Sequence, residues 1–160
     1  MEIPLSENTS TPVPTVDTST WAEKDREFTK LSQSISPANK TALFDVLAAA
    51  GITAVIVTFD GSGDSGQIED IETQGQTTKL PNDIIEIAHV TWGSVEITRT
   101  NLNIQDAVES LAYEFLGDTH CGWENNAGAY GEFTFDVAMR TITLNYNDRI
   151  ESSEYSQHVF

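Results

Sequence analysis

"ITAVIVTFDGSGDSGQIEDIET", residues 52–73, decides how the chain is read. Its first eight residues alternate Ala54 and Ile56 on one side with Val55, Val57 and Phe59 on the other, which predicts a central strand covered on both faces. Gly61, Gly63 and Gly66 follow, interleaved with Asp60, Ser62, Asp64 and Ser65. From Gln67 to Thr73 the only apolar residues are Ile68 and Ile71, set among Glu69, Asp70 and Glu72, the pattern of a solvent-facing strand that returns beside the first. The stretch therefore reads as a β-hairpin in which the three glycines supply positive φ and Asp and Ser side chains cap the turn.

A second reading competes with the turn. Oxygen donors at alternate positions are how a short loop wraps a hard cation such as Ca²⁺ or Mg²⁺, and Asp60, Ser62 and Asp64 have that spacing. An EF-hand is excluded in detail, because its sixth position needs glycine and is Ser65 here, while its twelfth needs glutamate and is Ile71. The strand followed by Asp-x-Ser-x-Asp resembles the metal-dependent adhesion site of von Willebrand-type domains, whose doubly wound fold this chain is short for. "GDSG" resembles the segment around the nucleophile of chymotrypsin-like proteases. His89, His120 and His158 all follow Ser65, and the similarity is read as accidental, although a triad is defined by geometry and not by chain order.

Working outward, residues 1–19 are polar, contain Pro4, Pro12 and Pro14, and read as a disordered leader before a single domain over 20–160. Thr20 with Glu23 forms a capping-box pattern ahead of Trp21, Phe28, Leu31 and Ile35, which predicts a helix over 20–35. Ser36 as N-cap and Pro37 at the first helical position predict a second helix over 37–50, ended by Gly51. Residues 83–88 carry a possible helical turn, with extended segments at 89–92 and 95–98. A helix over 104–116 follows from the Asn103–Asp106 cap and the stripe Ile104, Val108, Leu111, Ala112 and Phe115, with Gly117 as its stop. Finally "EFTFDV" and "TITLNY" alternate at period two about a turn at 138–140, a second hairpin. The predicted order, α-α-β-β-β-α-β-β, is an α+β fold with helices packed on a largely antiparallel sheet.

Charge is the strongest compositional signal. Twenty-five acidic against eight basic residues leave a net charge of −17. Residues 41–78 hold six carboxylates and residues 100–139 hold seven, and neither block contains Lys or Arg. Such a field repels nucleic acid and anionic membrane and attracts cations or basic proteins. The N-terminal residues lack the basic-then-apolar layout of a signal peptide, and no run approaches the ~18 apolar residues of a membrane span, so a cytoplasmic location is expected. The single Cys121 makes no internal disulfide.

The loop "HCGWENNAGAYGE", residues 120–132, is the other cluster of interest. His120 and Cys121 are neighbours, but adjacent side chains in an extended segment point apart, and structural zinc needs four ligands. The simpler reading has Trp123 and Tyr130 as packing anchors, Asn125 and Asn126 bonding backbone, and Gly128 and Gly131 turning the chain. If this loop meets the first hairpin, Asp60, Ser62, Asp64 and Glu124 become a candidate cation site.

The blocks "FDGSGDSGQIEDIE" (59–72) and "GWENNAGAYGEFTFDVAMRTITLNYNDR" (122–149) resemble the signatures of a domain-of-unknown-function family carried by bacteria, often on plasmids and phages, with the likeness covering most of 39–160. That resemblance implies no catalytic residues, ligand or partner. The favoured expectation from the residues is a small acidic binding protein that imitates nucleic acid and inhibits a basic DNA- or RNA-binding partner, such as a host defence protein. Its binding residues are Asp60, Asp64, Glu69, Asp70, Glu72, Trp123, Glu124, Asn125 and Asn126, with no direct contact to nucleic acid or membrane and no required cofactor. The alternatives are a divalent-cation-dependent enzyme using the Gly/Asp-rich loop with Ca²⁺ or Mg²⁺, and an accessory subunit docking through Trp92 or Trp123.

Overall fold

The structure is a computed structural model that describes residues 18–150 and 153–160; the leader expected over 1–19 lies, as far as residue 17, outside the described residues. The elements are α1 (Thr18–Ala49), β1 (Ile52–Ser62), β2 (Ser65–Gly75), β3 (Ile84–Val90), β4 (Ile97–Asn103), α2 (Ile104–Thr119), β5 (Ala129–Asp136) and β6 (Thr141–Asp148). Strands β2-β1-β5-β6 form a four-stranded sheet in that order, with every neighbouring pair antiparallel, and β3-β4 form a separate antiparallel pair. The fold is α+β, two helices packed on antiparallel sheets built from hairpins. Among the described residues no helix is long and apolar enough to cross a membrane.

The two N-terminal helices expected from the sequence are one. Thr20 lies inside α1 rather than capping it, and Ser36 and Pro37 sit in its middle. Proline there forfeits one backbone hydrogen bond and crowds the preceding turn, at a cost of about 3 kcal/mol. The helix continues because burial on both sides of Pro37 outweighs that cost: Ile35 precedes it, and Asn39, Leu43, Phe44 and Leu47 follow on the same inward stripe. At the other helix Asn103 is the N-cap, its side chain accepting from the Asp106 N–H at 2.7 Å. Gly117 does not end α2, which runs to Thr119, and the His120 N–H closes it on the Leu116 carbonyl at 2.8 Å. One exposed helical glycine costs only about 1 kcal/mol, too little to stop a helix whose Leu116 is buried.

A helical turn was expected over 83–88, and from Ile84 onward these residues are strand. Ile85 and Ile87 are buried while Ile84 and Glu86 are exposed, the period of a one-sided strand. What fixes it is Asn39 of α1, 3% exposed. Its amide nitrogen donates to the Ala88 carbonyl and its amide oxygen accepts from the Ala88 N–H, both at 2.9 Å. One side chain thus takes the place of a neighbouring strand at Ala88. Strand β4 also starts later than expected and runs directly into the α2 cap.

The core is shared by the helices, β3 and one face of the four-stranded sheet, through Val55, Val57, Phe59, Phe133 and Phe135. The sheet's opposite face is open, which corrects the expectation that β1 is covered on both sides: Ala54 and Ile56 are only half-buried and Thr58 is exposed.

Replacing Asn39 with Ala leaves the Ala88 N–H and C=O buried without partners, and each such loss costs about 1–3 kcal/mol. We expect Asn39→Ala to lower unfolding stability by at least that amount in a denaturant titration, and amide exchange at Ala88 to accelerate more than exchange in β1 or β5.

Candidate functional site

Cross-strand partners share a face, so the register reads out the open side row by row. The row nearest the β1-β2 turn is Gln67, Asp60, Tyr130 and Asn147; next come Asp70, Thr58, Glu132 and Asn145; then Glu72, Ile56, Thr134 and Thr143; and last Gln74, Ala54, Asp136 and Thr141. None of these side chains is buried. A register shift in β2 between the partners of Thr58 and Phe59 leaves Glu69 as an extra residue beside Asp70. The Gln67 amide donates to the Glu69 carboxylate at 3.0 Å, which puts the two on the same side of the strand. Asp60, Glu69, Asp70, Glu72, Glu132 and Asp136 thus make one acidic face. Four of the six were expected as binding residues; Glu132 and Asp136 were not, although their alternation with Phe133 and Phe135 carries the signal.

The turn itself is shorter than the sequence implied. Ser62 pairs with Ser65, so the loop is Gly63-Asp64, with φ of 59° and 65°. Two central residues at positive φ match the twist of the flanking strands. Gly61 and Gly66, expected to supply positive φ, lie in extended strand and are glycine for a different reason. They face one another on the inner side, and Trp123 packs across both. A Cβ on Gly61 would sit 2.6 Å from Trp123 Cζ3, and one on Gly66 would overlap the same ring. Trp123 also meets Phe59 edge-on, with centroids 5.4 Å apart.

The two Gly-rich loops do meet, through main chain. The Gly63 N–H donates to the Asn126 carbonyl at 3.1 Å and the Asp64 N–H donates to the Glu124 carbonyl at 3.0 Å. Their carboxylates do not converge. Asp60 Oδ2 accepts from Arg149 Nη2 at 2.9 Å, and Arg149 Nη1 donates to the Gly61 carbonyl at 2.9 Å, with the guanidinium over the Tyr130 ring. Ser62 lies within β1. Among the described residues no three His, Cys, Asp or Glu side chains are grouped to hold a metal ion. Beside the tip His120 stacks flat on Tyr146, with centroids 3.6 Å apart, and Cys121 is exposed. The Tyr146 phenol is pushed up to about 12, by burial first, then by its hydrogen bond to Asp148 and the charges of Asp148 and Glu124.

Two further features stand away from this face. A cleft of about 580 Å³ between α1 and α2 is lined by Phe28, Ser32, Glu114 and Asp118 among others. Glu114 Oε2 is buried there without a hydrogen-bond partner, and burial, then the Asp118 charge, holds this carboxyl above its ordinary range. Asp118 is raised by burial too. Of the two expected docking aromatics, Trp92 is exposed beside the still more exposed Trp21, with centroids 6.1 Å apart, whereas Trp123 packs on the hairpin.

The class these features define is a small α+β protein with a one-sided core and an acidic open sheet. The chain belongs to a family of unknown function, DUF6878, whose model matches residues 35–160. No curated protein and no solved structure matches it.

Two outcomes follow from this geometry. Gly66→Ala should destabilise the fold by about 1–3 kcal/mol through overpacking against Trp123, and the same substitution should cost much less when made in a Trp123→Leu background, a coupling read by denaturant titration of the four variants. A carboxyl raised in the folded state contributes stability below its unfolded value of 4.5, and that contribution is lost as pH rises through the folded value. Glu114→Gln should therefore melt higher than the parent at pH 8, with the advantage fading as the pH is lowered toward 4.

Proposed function

We propose that this protein is an acidic binding protein whose open sheet face occupies a basic, nucleic-acid-binding surface of a partner protein and so keeps nucleic acid from it. The observation that carries the reading is the row pattern: six carboxylates on one open face, of which Asp60 alone is paired with a basic side chain among the described ion pairs. Residues two apart along a strand and two strands apart across the sheet are separated by about 7 and 10 Å. A rigid array of negative charge at that spacing presents a cationic groove with several simultaneous partners, as a phosphate backbone does. The net charge of −17 favours encounter with such a groove at long range. Arg149, held by Asp60 and two carbonyls, serves the tip of the hairpin and adds no cationic site of its own.

The test uses the immobilised full chain and host proteins that it retains and that duplex DNA or structured RNA displaces. Binding should weaken steeply with added salt. The isosteric triple variant Asp70→Asn, Glu72→Gln, Glu132→Gln should keep the parent's melting behaviour and lose about 10-fold or more in affinity, since each fully engaged charge contact is worth of order 1 kcal/mol or more. Retention that is indifferent to salt, to nucleic acid and to this neutralised face would overturn the reading.

A further inference from the structure

The two edges of the four-stranded sheet are built differently. Edge β2 is protected: it carries Glu69, Asp70 and Glu72, its ladder is interrupted by a bulge, and the Ile68 N–H donates to the Tyr113 hydroxyl at 2.9 Å. These are devices that stop a strand edge from recruiting another strand. Edge β6 has none of them. Residues 141–147, TITLNYN, contain no charge, no proline and no bulge, and no strand among the described residues pairs with their outer side.

The open main-chain groups on β6 can be identified. The Arg149 N–H donates to the Gly128 carbonyl, which with the β5-β6 register makes Thr141, Thr143, Asn145 and Asn147 the residues bonded to β5. The Val137 N–H bond to the Thr53 carbonyl independently fixes the same alternation in β5. The N–H and C=O groups of Ile142, Leu144 and Tyr146 therefore point away from the sheet. Their side chains lie on the core side, where an apolar cleft of about 270 Å³ opens beside the strand, lined by Lys40, Phe115, Phe133, Ile142 and Leu144. A free ladder edge next to an apolar cleft is the arrangement that accepts an added strand.

We propose that the occupant is β6 of a second copy, joined antiparallel about a two-fold axis at Leu144. In that register Leu144 faces its own counterpart and Ile142 faces Tyr146 of the second copy, so each pair exchanges backbone hydrogen bonds between groups that are otherwise open. Of the inward side chains, Ile142 and Leu144 come to the mouth of the cleft, and Tyr146 stacks on His120 beside it. On the outer side Thr143 meets Asn145 of the second copy and Thr141 meets Asn147. At each end Arg140 comes opposite the second copy's Asp148. Charge permits association along this edge. In a chain of net charge −17, β6 is flanked by Lys40, Arg140 and Arg149, of which Arg140 and Arg149 are already neutralised by Asp45 at 2.7 Å and Asp60 at 2.9 Å. Two copies can thus meet along β6 with no carboxylate facing a carboxylate. The seam does not depend on the proposed partner, and salt affects it in the opposite sense: screening of the residual repulsion strengthens the dimer while it weakens a complex held by charge.

Sedimentation of the full chain over a dilution series should show a species of twice the 17.6 kDa chain mass that persists to lower concentration as salt is raised. Amide exchange at Ile142, Leu144 and Tyr146 should slow as concentration increases. The Thr143→Lys, Asn145→Lys variant sets like charges across the seam while the lysine introduced at position 145 faces Glu132 within the sheet, and it should sediment as a monomer with its thermal melt at high dilution not lowered. Thr143→Glu combined with Asn145→Lys sets opposite charges across the seam in this register alone and should restore the dimer. A parent chain that remains monomeric, protection of those three amides that ignores concentration because a segment of the same chain holds the edge, or a dimer indifferent to both paired variants would each overturn the proposal.

Discussion

The constraint on which the rest of the structure depends is that every helix lies on one side of the four-stranded sheet. α1, α2 and β3 bury Val55, Val57, Phe59, Phe133 and Phe135 from within, and nothing among the described elements covers the other face. That face must be solvated by the alternate residues of the same strands. The rows explain how it holds six carboxylates without heavy self-repulsion. Carboxylates directly opposite one another destabilise a sheet, yet each row acid of β2 or β5 lies beside an uncharged residue of β1, and in the one row where both strands carry an acid Thr58 separates Asp70 from Glu132. Where β1 contributes an acid itself, at Asp60, its neighbours are Gln67 and Tyr130 and Arg149 supplies a counter-ion. Two strand spacings amount to about one screening length at physiological salt. The charges tolerate one another in water and remain available to a surface that can approach several at once.

The tip of the β1-β2 hairpin shows how such a face is held rigid at its far end, where a two-stranded ribbon would fray. Trp123 lies on the inner side of the glycine pair, the loop carbonyls of Glu124 and Asn126 take the two turn N–H groups, and Arg149 ties the Gly61 and Ala129 carbonyls together from the other side. Glycine at 61 and 66 is a packing requirement, set by an indole ring from a segment some sixty residues away in sequence. The two Gly-rich loops are clasped through backbone bonds, with Asp60 at the edge of the acidic face.

Much of this was legible in the residues. The hairpin at 52–73, the cap at Asn103, the period-two strands β5 and β6 and the α+β class all follow from local patterns. What failed locally was decided by distant contacts. Ser36-Pro37 carries the signature of a helix start, but burial of Ile35 and Asn39 on either side makes it a helix interior. Residues 83–88 are ambiguous in propensity, and the Asn39 amide resolves them by serving as the missing strand neighbour of Ala88. Ala54 and Ile56 look like a buried face because their side chains are apolar, yet they stand on the open side between polar neighbours. The acids of β2 were conspicuous as a run. Those of β5 were not, because each stands alone beside a core aromatic residue, Glu132 before Phe133 and Asp136 after Phe135.

That interleaving makes the acidic face inseparable from the core. A slip of β5 by one residue would bury Glu132 and Asp136 and expose Phe133 and Phe135, at several kcal/mol for each large apolar side chain and more for each carboxylate. The burial that selects the strand register therefore also selects which side chains form the acidic array. No separate ligand loop or metal is needed to arrange it. It follows that a substitution which loosens the core disturbs the face as well, so lost binding in such a variant says nothing about charge. Only replacement of a carboxylate by its amide at a solvated row position changes the face while leaving the register untouched.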